Sequence, residues 1–119
     1  MPSFAPKTRV EVYIPIRYEP AYQETLCWVI EELTRLRGGC TVVEDLAGYY
    51  LSKTYRVIRD RVSLVYSDFP MNWEEPSDQI EVCGYCTDLK RFLVESLWEE
   101  EVLIAAVPVA HVKQHAQST

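Results

Sequence analysis

Positive charge is scarce in this chain. Its 12 Lys and Arg stand against 18 Asp and Glu, a formal net charge of −6. That sign repels phosphate backbones, and no wider basic face offsets it, so nucleic-acid binding is not expected. The densest basic group, Arg56, Arg59 and Arg61, reads as one solvated strand or hairpin. Long apolar runs are absent too: none approaches the roughly 20 residues that cross a bilayer, so no membrane partner is expected. The opening Met1-Pro2-Ser3-Phe4-Ala5-Pro6-Lys7 lacks the apolar run of a signal peptide. A cytoplasmic protein is the resulting expectation, with its four cysteines as free thiols. There is no Gly-rich phosphate loop, no G-x-S-x-G and no H-E-x-x-H, and both histidines, His111 and His115, fall near the C-terminus. Catalytic residues are therefore not named, and no cofactor is expected.

What the chain does hold is enough apolar content for a core. With 119 residues, 48% hydrophobic and 25% charged, it reads as one globular domain over 1–119 that needs neither disulfides nor metal. The core is expected over about 8–112, between flexible tails at 1–7 and 113–119. From Thr8 the pattern alternates strictly, with Val10, Val12, Ile14 and Ile16 on one side, which predicts a strand. Pro20 then opens a helix whose Tyr22, Leu26, Val29, Ile30, Leu33 and Leu36 form an apolar stripe, and Gly38-Gly39 ends it. A strand is expected over about 40–51, with a bulge where Glu44 and Asp45 stand side by side. Ser52-Lys53-Thr54 reads as a hairpin turn into a strand over about 55–67 carrying Ile58, Val62, Leu64 and Tyr66 on alternate positions.

Residues 68–82 read as a long acidic loop holding Phe69, Met71 and Trp73, either functional or a lid over one end of the core. A second helix is expected over about 85–99, buried through Leu89, Phe92, Leu93 and Leu97, and a last strand over about 101–112, apolar on both faces.

The order β-α-β-β-α-β is the split βαβ unit, which puts the first and third strands in the centre and both helices on one sheet face. The fold class is therefore α+β, a four-stranded antiparallel sandwich. Its uncovered face would carry Tyr13, one side of the last strand and some of Tyr49, Tyr50, Tyr55 and Tyr66, an apolar surface that predicts an interface. A homo-dimer through that face is the first expectation and a trimer the second. This pattern resembles ferredoxin-like domains, and within them the dimeric α/β-barrel proteins and the PII-like signalling proteins. The resemblance spans about 8–112 and rests on element order. The phosphate-binding signatures of PII proteins are missing, as is the histidine expected in the barrel enzymes.

Several constellations carry chemical possibilities. Cys83-Gly84-Tyr85-Cys86 is a CxxC that resembles the active site of glutaredoxins, and at a helix start it would favour a thiolate. Only one strand follows it, and two small residues in a helix are the plainer account. Cys27 and Cys40 do not form a second pair, so no zinc site is expected. Glu44, Asp45, Glu74, Glu75 and Asp78 match no calcium loop and read as a solvated acidic surface. Gly48-Tyr49-Tyr50 has no evident core role and implies a bulge or a close approach by a ligand or partner. Tyr49, Tyr50, Trp73 and His111 are the candidate binding residues, and Cys83 and Cys86 the redox candidates. Three functions compete: a small oligomeric module that binds a ligand or partner, a cofactor-free enzyme of the dimeric α/β-barrel type, and a thiol redox protein. Of these the non-enzymatic module is preferred, with a small-molecule ligand open.

Overall fold

A computed structural model describes residues 3–99 and 101–113. Six elements follow in the order β1 (Phe4–Pro15), α1 (Pro20–Arg37), β2 (Thr41–Leu51), β3 (Val57–Phe69), α2 (Pro76–Leu97) and β4 (Ile104–Val112). The strands form one sheet, β2-β3-β1-β4, in which every neighbouring pair is antiparallel. Both helices pack on one face of it, so the fold is the ferredoxin-like α+β sandwich that the element order implies.

The alternation of β1 sends Thr8, Val10, Val12 and Ile14 under the helices, where all four are buried. On β3 the buried set is Ser63, Val65, Ser67 and Phe69, so the apolar series Ile58, Val62, Leu64 and Tyr66 belongs to the other face. From the helices, Val29 and Leu33 of α1 meet Val82, Leu89, Leu93 and Leu97 of α2 over this layer, and Val102 closes it before β4. Two of the buried hydroxyls are satisfied by backbone: Thr8 Oγ1 donates to Met71 O at 3.0 Å and Ser67 Oγ to Gly39 O at 2.7 Å. Gly38 takes the left-handed conformation at φ 85°, and its N–H donates to Thr34 O at 2.8 Å, which stops α1 where expected.

Four boundaries differ from the sequence reading. β1 begins at Phe4, inside the stretch expected to be a tail, because Phe4 to Thr8 pair with Val112 to Pro108 of β4. The last strand starts at Ile104 rather than near Glu101. β3 runs on through Asp68 and Phe69, and Phe69 is a core residue, not part of a loop. The expected loop over 68–82 shrinks to 70–75, because Pro76 opens α2 after an extended Glu75, as Pro20 follows Glu19 in α1. Its aspartate, Asp78, sits in the first turn and accepts the Asn72 backbone N–H at 2.9 Å. The expected start of this helix near Tyr85 is thus nine residues late, 85 minus 76. Phe92 is half-exposed on the outer side, its ring centroid 4.4 Å from that of Trp28. Beyond Lys113 the expected C-terminal tail lies outside the described residues.

Leu33, fully buried between the helices and the sheet, tests this core. Leu33→Ala is expected to lower unfolding stability by about 2–5 kcal/mol in urea titration, with the m-value unchanged. A loss below about 1 kcal/mol would contradict the packing described.

Candidate functional site

Opposite the helices, the sheet presents an uncovered face. Because directly paired residues share a face, it collects Lys7, Arg9, Glu11 and Tyr13 from β1 and Val62, Leu64, Tyr66 and Asp68 from β3. Val43, Leu46 and Gly48 from β2 and Ala105, Val107, Val109 and His111 from β4 complete it. Its apolar residues surround one polar cluster. Arg9 donates from Nε to Asp68 Oδ1 at 2.7 Å and from the terminal nitrogen to Oδ2 at 3.0 Å, a two-pronged pair. The same guanidinium lies 4.3 Å from the centroid of the Tyr66 ring, and His111 Nε2 approaches Asp68 Oδ2 at 2.6 Å. The Arg9 hydrogen bonds hold the Asp68 carboxyl below the usual carboxylate range against the opposing effect of its burial, with His111 acting in the same direction.

Beyond the helices, β2 and β3 continue as a two-stranded arm. Tyr49, Tyr50 and Leu51 pair with Arg59, Ile58 and Val57, and Tyr55 sits in the turn at φ 61°. From Ala47 to Leu51 the arm advances about 14 Å at ~3.4 Å per residue. Its apolar side chains are uncovered: Tyr49, Tyr50, Leu51, Tyr55 and Val57 are between 53% and 84% exposed. At its root Arg17 pairs two-pronged with Asp60, at 2.7 and 3.1 Å, tying the loop after β1 to the arm.

The expected bulge is present. Between the pairs Val43↔Leu64 and Leu46↔Val62, Glu44 and Asp45 together oppose Ser63, and Asp45 takes φ 60°. Asp45 Oδ1 accepts from Arg61 Nε at 2.5 Å, which keeps its carboxyl below the usual range. In front of the bulge lies a cavity of about 360 Å³ lined by Arg17, Tyr22, Leu26, Glu44, Asp45 and Arg61 among others. Tyr22 reaches across from α1, donating to Glu99 Oε1 at 2.6 Å and lying 3.1 Å from Leu97 O. Burial and the Glu99 carboxylate push its hydroxyl up to about 12.

The four candidate binding residues do not converge. Tyr50 faces the open side of the arm and Tyr49 the opposite side. His111 stands at the far end of the open face, about 45 Å of strand away from Tyr50. Trp73 packs against the core and lines a groove with Phe4, Pro6 and Pro108. Gly48 meets no close neighbour among the described residues: a side-chain carbon there would lie 4.0 Å from Asp60 O. Cys83 and Cys86 lie within α2 rather than at its start, as free thiols. Cys83 is exposed, while burial pushes the Cys86 thiol up to about 11. A helix start would have lowered it. Among the described residues no group of His, Cys, Asp and Glu has metal-binding geometry, and no helix is long and apolar enough to cross a membrane.

The sequence reading missed Arg9 and Asp68 as partners, since 59 residues separate them and only the β1–β3 register brings them together. It also missed Arg37, which appears in sequence as an ordinary basic residue in the last turn of a helix.

No protein-family model matches the chain, and no curated protein matches it in sequence. Among solved structures, its fold is similar to the crystal structure of CutA1 from Oryza sativa, with TM-score 0.54 and 16% identity over 89% of this chain and 82% of that one. At this identity the likeness concerns the fold.

Two measurements check the site chemistry. Asp68 has a folded pKa below its unfolded value near 3.9, so its stabilising effect is complete above about pH 4 and is lost as pH falls through the folded value. Asp68→Asn is expected to cost about 1–3 kcal/mol near pH 7, a gap that narrows on acidification. A gap that stays constant down to about pH 2 would exclude the ion pair as its source. For the thiols, a pKa of about 11 leaves Cys86 roughly one part in a thousand thiolate near pH 8. Mass spectrometry after brief alkylation of the native protein should find Cys83 labelled long before Cys86. Equal labelling would contradict the burial of Cys86.

Proposed function

We propose that the chain is a small homo-oligomeric module that binds a ligand or partner and works by regulation rather than catalysis. The observation that carries this reading is the arm, whose five apolar side chains stand exposed among the described residues. The open face adjoins it. Four strands about 4.8 Å apart and roughly nine residues long offer a footprint of about 600 Å² before the arm is added. Together they approach the roughly 800 Å² per partner of a standard interface. The pairing of Arg9 with Asp68 supports contact between identical copies, because it removes net charge from the middle of the face. A dimer is the first expectation and a trimer the second.

The chain acts in this reading as one ferredoxin-like unit in the cytoplasm, consistent with four unpaired thiols. The alternatives draw less support. An enzyme of the dimeric α/β-barrel type would gather Tyr49, Tyr50, Trp73 and His111 about one pocket, and they are dispersed. Thiol redox chemistry would call for an activating helix start at the pair, and Cys83 and Cys86 lie well inside α2 instead.

Light scattering after size exclusion is expected to give a mass of two or three times 13.8 kDa at micromolar concentration. Tyr50→Asp combined with Ile58→Asp puts two charges on the open side of the arm. This variant is expected to weaken assembly by at least about 2 kcal/mol, roughly thirtyfold, with circular dichroism unchanged. A monomeric wild type, or assembly that ignores the paired substitution, would sink the proposal.

A further inference from the structure

On the helix side of the sheet, away from the arm and the open face, a cavity of about 250 Å³ opens where the end of α1, the end of β3 and the first half of α2 meet. Its polar lining is Arg37, Tyr85, Glu32 and Glu81, and Phe69, Met71 and Val82 contribute an apolar floor. The Arg37 guanidinium carbon lies 4.1 Å from the Phe69 ring centroid. Tyr85 packs on the same ring with centroids 5.3 Å apart. Phe69 thus holds a cation and a phenol in place at once.

Neither polar group has a partner at hydrogen-bond geometry among the described residues, although the Glu32 carboxylate stands near the Tyr85 hydroxyl. Arg37 Nε and the Tyr85 hydroxyl are shielded from solvent and make no hydrogen bond. Among the described residues, Arg37 forms no ion pair. Buried donors left in this state are rare and costly in folded proteins, so each calls for an acceptor. Burial and the nearby Glu32 carboxylate push the Tyr85 hydroxyl up to about 12, keeping it a donor at any ordinary pH.

We propose that this cavity binds a free α-amino acid with an apolar side chain. Charge chooses among the ligand classes. One guanidinium against two carboxylates leaves the lining at −1, which disfavours a simple anion. A simple amine would suit Glu32 and Glu81 but leave both orphan donors unserved. A zwitterion satisfies all four groups, its carboxylate accepting from Arg37 and Tyr85 and its ammonium donating to Glu32 and Glu81. Phe69, Met71 and Val82 then receive an aliphatic side chain. Size agrees: the volume equals that of about eight liquid waters, below the usual range for drug-sized ligands and suited to a small metabolite.

The test uses the full chain with three related probes: L-leucine, 4-methylpentanoate (the same skeleton without the amine) and 3-methylbutylamine (the same without the carboxylate). Leucine at millimolar concentration is expected to raise the melting temperature saturably, and neither single-charge probe is. Tyr85→Phe keeps the ring and should weaken leucine binding about tenfold or more in calorimetric titration. Arg37→Gln should abolish it. Without ligand, Tyr85→Phe should melt no lower than wild type, because the hydroxyl it removes has no partner. The proposal fails if leucine, valine and alanine all leave the melting temperature unmoved, or if 4-methylpentanoate alone matches leucine. It also fails if Tyr85→Phe binds unchanged, or if unliganded Tyr85→Phe melts lower, since the hydroxyl would then already be satisfied within the chain. Light scattering on the same samples reads assembly separately, so a folded oligomer that ignores leucine refutes this site and leaves the oligomer standing.

Discussion

Two helices can shield one side of a four-stranded sheet and no more. That geometric limit organises the molecule. Under the helices the chain is conventional: aliphatic side chains from β1, β3, α1 and α2, with Thr8 and Ser67 spending their hydroxyls on nearby backbone carbonyls. On the uncovered side the same strands carry both apolar residues and a charge cluster in which Arg9 is held at once by Asp68 and by the Tyr66 ring. A solvated sheet face would ordinarily be polar at every second position. Here the alternation of β3 is more apolar outside than inside, since Ser63 and Ser67 point to the core while Val62, Leu64 and Tyr66 do not.

The prolines show how the sheet accommodates residues that cannot donate to a ladder. Pro6 belongs to β1 where β3 pairing has already ended, at Thr8↔Phe69, leaving β4 as its neighbour. Pro15 sits past the last β4 pair, Val12↔Ile104, with β3 alone beside it. Pro108 lies on β4, an edge strand. In each place one side of the strand has no strand partner among the described residues, and the missing N–H can be turned that way.

The element order, the caps of α1, the alternation of β1 and the bulge at Glu44 and Asp45 were all legible in sequence, because each is a local pattern of a few residues. The start of α2 was not. Its first turns are exposed, with Ile80 72% accessible and Val82 the first buried position, so no apolar stripe announces them, and the acidic residues beside Pro76 resemble a loop. Phe4 to Lys7 gave no strand signal for a different reason: their partner, the end of β4, lies about a hundred residues away in the chain. Sites followed the same division. Cys83 and Cys86 stood out by spacing, yet a helix that starts earlier removes the feature that would have activated them. The grouping of Arg37, Phe69 and Tyr85 has no sequence signature, since it draws on three elements that only the fold brings together.

The bulge in β2 has an effect well beyond its two residues. Before it, odd-numbered side chains, Thr41 and Val43, point to the open face; after it, even-numbered ones do, Leu46, Gly48 and Tyr50. Glu44 and Asp45 therefore act as a phase shift, and the salt link from Asp45 to Arg61 pins it in place. Deleting one of the two would restore regular pairing with Leu46, Gly48 and Tyr50 still on the open face, whereas straightening the strand with both residues kept would rotate its whole outer half by one position. Tyr49 and Leu51 would then replace Tyr50 on the open side, and Gly48 would exchange places with Ala47. The identity of the surface that the arm offers is in this sense set by the one extra residue at the bulge, not by the residues of the arm alone.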